Sequence, residues 1–183
     1  MTHLPRPRRA DVEDVDLVGG VEVRELEVVD YDDRWPGIFV EHRERIRQAL
    51  RAADVVIEHI GSTAVPALAA KPIIDIVVAV DDITAEKDYL DALLSIGYVL
   101  RVREPEHRLV RTPERDVHVH IYERGTPAVS EYLRLRDRLR TDPADRDLYE
   151  STKRELMSQS WSDMNEYAAA KTEVIAAIKS RAS

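Results

Sequence analysis

Residues 55–80 read VVIEHIGSTAVPALAAKPIIDIVVAV, and this stretch decides the fold. An apolar run ends at Glu58-His59-Ile60 and breaks at Gly61-Ser62. Residues 63–70 suit a short helix or turn, and Lys71-Pro72 follows. The second run, residues 73–80, is nearly continuous in apolar residues and carries one acid, Asp75. Runs of this kind mark strands buried on both faces, so residues 73–80 are expected inside a sheet. A Gly-Ser at a strand-to-helix junction offers backbone N–H groups and a hydroxyl to an anion. A carboxylate among Ile and Val is costly unless it is paired, protonated or on a metal. Together these features point to a phosphate-and-metal site.

The rest of the chain bounds the reading. Its 183 residues suffice for one domain with a real core. A hydrophobic share of 44% and a charged share of 34% fit a globular protein. The net charge of −8 argues against wholesale binding to a nucleic-acid backbone, although a local basic cleft remains compatible with it. Cysteine is absent, which excludes disulfides and thiolate chemistry and fits a reducing cytoplasm. No apolar stretch reaches membrane-spanning length, and the basic N-terminus lacks the apolar core of a secretory signal. A cytoplasmic location without membrane contact is the expectation.

Residues 1–20 read as a loosely ordered arm, with room for a short strand. Residues 21–29 alternate as a half-buried strand or turn. A helical pattern follows Trp35-Pro36, with Pro36 in its first turn and Asp33 or Arg34 near the cap. Residues 55–60 and 73–80 are strands. Thr84 is expected to cap a helix with Tyr89, Leu90, Leu93 and Leu94 inward and Gly97 at its end. Residues 98–103 and 107–112 read as strands joined at Glu104-Pro105. Residues 117–122 alternate, with Val117, Val119 and Ile121 on one face and His118, His120 and Tyr122 on the other. From Gly125 onward the chain is helical, with Asp142-Pro143 opening one helix and the last spanning about 162–180. Trp35 and Trp161 are assigned to packing, and His3, His42 and His107 to the surface.

A strand, a Gly-Ser turn, a short helix and an acid-bearing strand resemble the nucleotidyltransferase fold of DNA polymerase beta. More narrowly, His59-Ile60-Gly61-Ser62-Thr63-Ala64-Val65-Pro66 followed by Ala69-Ala70-Lys71-Pro72-Ile73-Ile74-Asp75-Ile76 resembles the signature of the GrpB family (UPF0157). Further matches are Tyr31-Asp32 with Trp35, then His118-Val119-His120, then Arg136-Asp137-Arg138-Leu139-Arg140 with Pro143, Tyr149 and Lys153, and finally Tyr167 and Lys171. The similarity runs from about residue 24 onward. Ala67 departs from it where members commonly carry Gly, and Leu135 where Phe is usual. A domain of this type also occurs fused to dephospho-CoA kinase. The resemblance implies an α/β (α+β) fold: a nucleotidyltransferase-like mixed β-sheet flanked by helices, with a helical C-terminal third and residues 21–183 as one domain.

The Gly61-Ser62 turn in a nucleotidyltransferase-like fold makes a nucleotide or other phosphorylated small molecule the expected ligand. Its phosphates would meet Gly61, Ser62, Thr63, Lys71, Arg136, Arg140 and Lys153, with Asp75 and Ser62 at the chemistry. Two-metal transferases usually carry a second acid two residues after the first. Here that position is Val77. The histidines then enter: His118 and His120 share a strand face, and with Asp75 they form a candidate two-His-one-carboxylate site, with His59 a further ligand. A carboxylate alone suits Mg or Mn, whereas imidazoles favour Zn, Mn or Ni. Three alternatives stay open on the residues: a metal-dependent transferase, a non-catalytic phosphometabolite-binding module, and a metal-dependent enzyme of another class using Asp75, His118 and His120. A hydrogen-bonded cluster around Asp75 is the plain structural alternative to a metal site. Asp137 could likewise tie Arg136 or Arg140 into internal ion pairs.

Overall fold

The computed structural model describes residues 10–22, 27–51, 55–158 and 171–181. In chain order the elements are β1 (Asp16–Leu17), α1 (Trp35–Leu50), β2 (Val56–Ile60), β3 (Ile74–Val80), α2 (Leu90–Ser95), β4 (Val99–Glu104), β5 (His107–Arg111), β6 (Val117–Glu123), α3 (Pro127–Thr141), α4 (Pro143–Met157) and α5 (Thr172–Arg181). Short 3-10 turns occupy Ser62–Ala64 and Glu86–Asp88.

The strands form one six-stranded sheet in the order β1-β4-β5-β6-β3-β2. The β3–β6 pair is parallel and the other pairs are antiparallel, which makes the fold a mixed α+β one. β3 is interior, as its apolar run predicts. Its Ile74, Ile76, Val78 and Val80 join Val117, Val119 and Ile121 of β6 in a core covered by Trp35 and Ile46 of α1 and Leu90 and Leu93 of α2. A second core joins Val65 and Leu68 to Leu139 of α3, Tyr149 of α4 and Ile178 of α5. The C-terminal helices therefore pack on the chain just after the Gly61-Ser62 turn. Residues 10–22 lie against the far edge of the sheet, where Arg101 donates to Val18 O and Gly20 O and Arg108 pairs with Asp11.

Several local expectations change. Thr84 caps no helix: its hydroxyl donates to Asp82, and the helix begins only at Leu90 after a 3-10 turn. Leu94 is exposed on the outer side of that short helix. His42 and His107 are buried rather than superficial. His42 meets the Tyr98 hydroxyl at 2.6 Å, a bond that lets imidazole lie inside. Val29 makes an isolated bridge to Ala70, while residues 23–26, His3, Trp161 and Tyr167 lie outside the described residues.

Ala67 adopts φ +61°, the left-handed region that disfavours a side chain by about 1–2 kcal/mol. Glycine would relieve that strain but enlarge unfolded-state entropy by about 0.4–1 kcal/mol. Ala67→Gly is therefore expected to raise the melting temperature by about 2 °C in a calorimetric scan. A lower melting temperature would refute the strain argument.

Candidate functional site

The register of β2, β3 and β6 assigns each polar side chain to a face. Val77 lies opposite Glu58 on one side and His120 on the other, and Asp75 lies opposite Ile60 and His118. Asp75, Val77, Glu58, His118, His120 and Tyr122 therefore share the sheet face away from α1. Adjacent strands with matched alternation bring the acid and the two histidines together. Asp75 Oδ1 is 3.5 Å from His120 Nε2 and 3.8 Å from His118 Nδ1. One donor atom from each residue lies within 4.8 Å of the others, a spacing that one cation could bridge.

His59 is not part of this group. It lies opposite Ile76, on the α1 face of the sheet. There its ring stacks on Phe39 at 4.9 Å, and Nε2 meets the Thr63 hydroxyl at 3.0 Å. That hydroxyl donates to Ile73 O, so Nε2 is the protonated nitrogen. Burial holds the His59 pKa down to about 4, so the ring is neutral at pH 7. Thr63 thus braces the turn through its side chain.

Beside Asp75 is a recess of about 90 Å³, lined by Ser62, Thr63, Lys71, Asp75, Lys153 and Lys171. Lys153 reaches in from α4, donating to Ser62 Oγ at 3.1 Å and to Ala69 O at 2.5 Å. Burial, reinforced by Lys171, lowers its pKa to about 7. Lys171 is also lowered, by burial, and Asp75 opposes that shift. The recess thus gathers cationic groups in a poorly solvated place, which suits an anion.

The turn allows this approach because residue 61 is glycine. Its φ of +72° lies in the region that L side chains avoid. A Cβ there would stand 2.7 Å from Asp75 Oδ2 and 3.2 Å from Asp75 Cβ. Arg136 and Arg140 face other work. Arg136 pairs with Glu58 and Asp137 and donates to His59 O, and Arg140 donates to Ala64 O. They hold α3 to β2 and to the turn, and neither lines the recess.

His107 joins the cluster of Asp75, His118 and His120, although its local sequence does not reveal it. Its Nε2 lies 3.1 Å from His120 Nδ1, and its Nδ1 lies 2.5 Å from Glu104 Oε1. The ring stacks on Tyr122 at 4.5 Å. Burial, with His120 alongside, lowers its pKa to about 4. It shares a strand face with Leu109, and only the pairing of β5 with β6, which sets His107 opposite Tyr122 and Leu109 opposite His120, brings it beside His120.

Known proteins resemble this chain along most of its length. A family model described as GrpB protein matches residues 25–181. A UPF0157 protein of Streptomyces coelicolor is 63% identical over 182 residues, covering 100% of this chain and 97% of its own. A UPF0157 protein of Halalkalibacterium halodurans is 41% identical, covering 86% of this chain and 82% of its own. The crystal structure of the conserved protein GrpB from Enterococcus faecalis has a TM-score of 0.74 and 32% identity, covering 85% of this chain and 96% of that chain. A structure of the GLD-2/RNP-8 complex is a more distant likeness, with a TM-score of 0.49 and 14% identity over 82% of this chain and 58% of that chain.

Proposed function

The chain belongs to the GrpB family, and on that footing we propose that it binds a nucleotide or other phosphorylated small molecule together with a divalent cation. The phosphates would enter the recess of Ser62, Lys71, Lys153 and Lys171, and the cation would be held by Asp75, His118 and His120. One observation carries this reading: Asp75 belongs both to the wall of the lysine-lined recess and to the cation-donor group. A cation held there would stabilise negative charge on phosphate oxygens. Lys153 would supply a positive charge close to the same anion, and Ser62 a hydroxyl. The donor set suits this role, since a carboxylate oxygen faces two imidazole nitrogens across 3.5 and 3.8 Å.

Binding without group transfer is the second reading, and Val77 favours it. This side chain is fully buried on the Asp75 face, at the position where a two-cation transferase carries its second acid. Glu58, the acid opposite Val77, is held by Arg136 at 2.8 Å. The polar groups that remain are sufficient to hold a phosphorylated ligand.

Titration calorimetry and thermal shift with nucleoside triphosphates, with and without Mn, Mg or Zn, test the proposal. Saturating triphosphate should raise the melting temperature by several degrees, and further with cation, since about 100 times Kd contributes about 2.7 kcal/mol. No heat and no shift under every combination would remove it. Asp75→Asn should weaken cation binding at least tenfold, because loss of mere supporting partners already costs about 10–100-fold. Lower stability with unchanged cation binding would make Asp75 a structural acid instead. Radiolabelled triphosphate without label transfer, alongside measurable binding, would favour the second reading.

A further inference from the structure

Hydrogen bonding behind His120 dictates which of its nitrogens is available. A carboxylate only accepts, so the 2.5 Å contact between Glu104 Oε1 and His107 Nδ1 puts the proton on Nδ1. In the neutral ring, Nε2 is then a bare acceptor. His120 Nδ1, 3.1 Å away, must then donate to it. Its remaining nitrogen, Nε2, presents a lone pair toward Asp75 Oδ1 at 3.5 Å. A cation between that lone pair and the carboxylate would offset their mutual repulsion.

We infer that Glu104 and His107 are positioning residues that fix His120 in its Nδ1–H tautomer and thereby make the Asp75–His118–His120 site select an imidazole-binding divalent ion, such as Zn or Co(II), over Mg. The inference rests on the cation reading above. Its physical basis is that a ligating imidazole needs its second nitrogen hydrogen-bonded to set the tautomer and ring orientation. Stacking of His107 on Tyr122 at 4.5 Å further restrains its ring plane, which lies within 12° of the His120 ring. Mg, by contrast, prefers oxygen donors and gains little from an oriented imidazole.

Long-range 1H–15N correlation spectra of the cation-free protein read the tautomers directly. His107 and His120 should both appear as Nδ1–H forms. Glu104→Gln gives His107 an amide that can donate, so the chain can reverse and expose His120 as a mixture with the Nε2–H form. His107→Phe keeps an aromatic plane against Tyr122 and removes the relay. Both variants should lose about tenfold in Zn and Co(II) affinity by titration, with weak Mg binding unchanged. If His107→Phe does not fold, Glu104→Gln alone decides, because the Glu104 side chain is 38% exposed. An Nε2–H form of His120 in the wild type overturns the inference. So do variants with unaltered tautomers and unaltered Zn affinity. A wild-type protein with the expected tautomers that binds neither Zn nor Co(II) overturns the cation reading, and with it the selectivity. Wild-type binding that both variants retain overturns the positioning role alone.

Discussion

Gly61→Ala should destabilise the protein by about 2–4 kcal/mol and disrupt the site in the same step. Residue 61 combines φ +72° with ψ −172°, a region essentially reserved for glycine. The backbone term alone is about 1–3 kcal/mol. Sterics add to it, because the new methyl would stand 2.7 Å from Asp75 Oδ2 and 3.2 Å from its Cβ. The carboxylate end can rotate, but Cβ is fixed to the backbone of an interior strand. Asp75 must therefore swing from its place before His118 and His120, or the turn must lift from β3. Calorimetry should record a fall in melting temperature of about 10 °C, at about 2–4 °C per kcal/mol for a chain of this size. Cation binding should fall with it. A variant that melts within a degree of wild type and binds cation normally would show that the close approach of Gly61 to Asp75 carries no weight.

Lys153→Met should act in opposite directions on stability and on ligand. The ammonium sits buried, its pKa lowered from 10.5 to about 7 mainly by burial and next by Lys171. An unfolded chain leaves that lysine with its ordinary value. Between pH 7 and 10.5 the unfolded state thus binds more protons, so the lysine's contribution makes stability rise with pH across that window. Below pH 7 its full cost is present. Replacing it with Met removes a cost of several kcal/mol. Ala69 O and Ser62 Oγ then lack their donor, which returns about 1–3 kcal/mol. A net gain of about 2 kcal/mol at pH 6–7 is expected in the ligand-free protein, with a flatter stability–pH curve above neutrality. Phosphate affinity should collapse, because the variant lacks the positive charge beside Ser62.

In the wild type, an anion entering the recess favours the charged form of Lys153. Binding at pH 8 should therefore take up a proton, visible as a dependence of calorimetric heat on buffer ionisation enthalpy. Affinity should fall as pH rises through about 7. Proton-neutral binding that Lys153→Met leaves intact would remove Lys153 from the ligand site. A charged side chain kept buried at a cost to stability is expected where binding, rather than folding, requires it.

The amino-acid sequence alone determined which residues alternate and where the chain turns. Period-two alternation separated His118 and His120 from Val117, Val119 and Ile121, and the continuous run of residues 73–80 marked β3 as interior. Gly61-Ser62 marked the turn, and the family signature joined these pieces into one fold. These are properties of neighbours in the chain, so they are legible locally. Tertiary structure decided everything that depends on register or reach. The pairing His59↔Ile76 put His59 on the α1 face, although it opens the signature. A one-residue difference in register exchanges the faces of a strand, and nothing within residues 55–60 specifies their pairing with β3. The packing of α3 tied Arg136 to Glu58 and His59 O instead of aiming it into the recess. His107 became the partner of His120 through the β5–β6 ladder, and Lys153 became a buried amine only where α4 docks over Ser62. Long side chains and strand faces acquire their chemistry from what is packed against them, and in a sheet of mixed order those neighbours come from far along the chain.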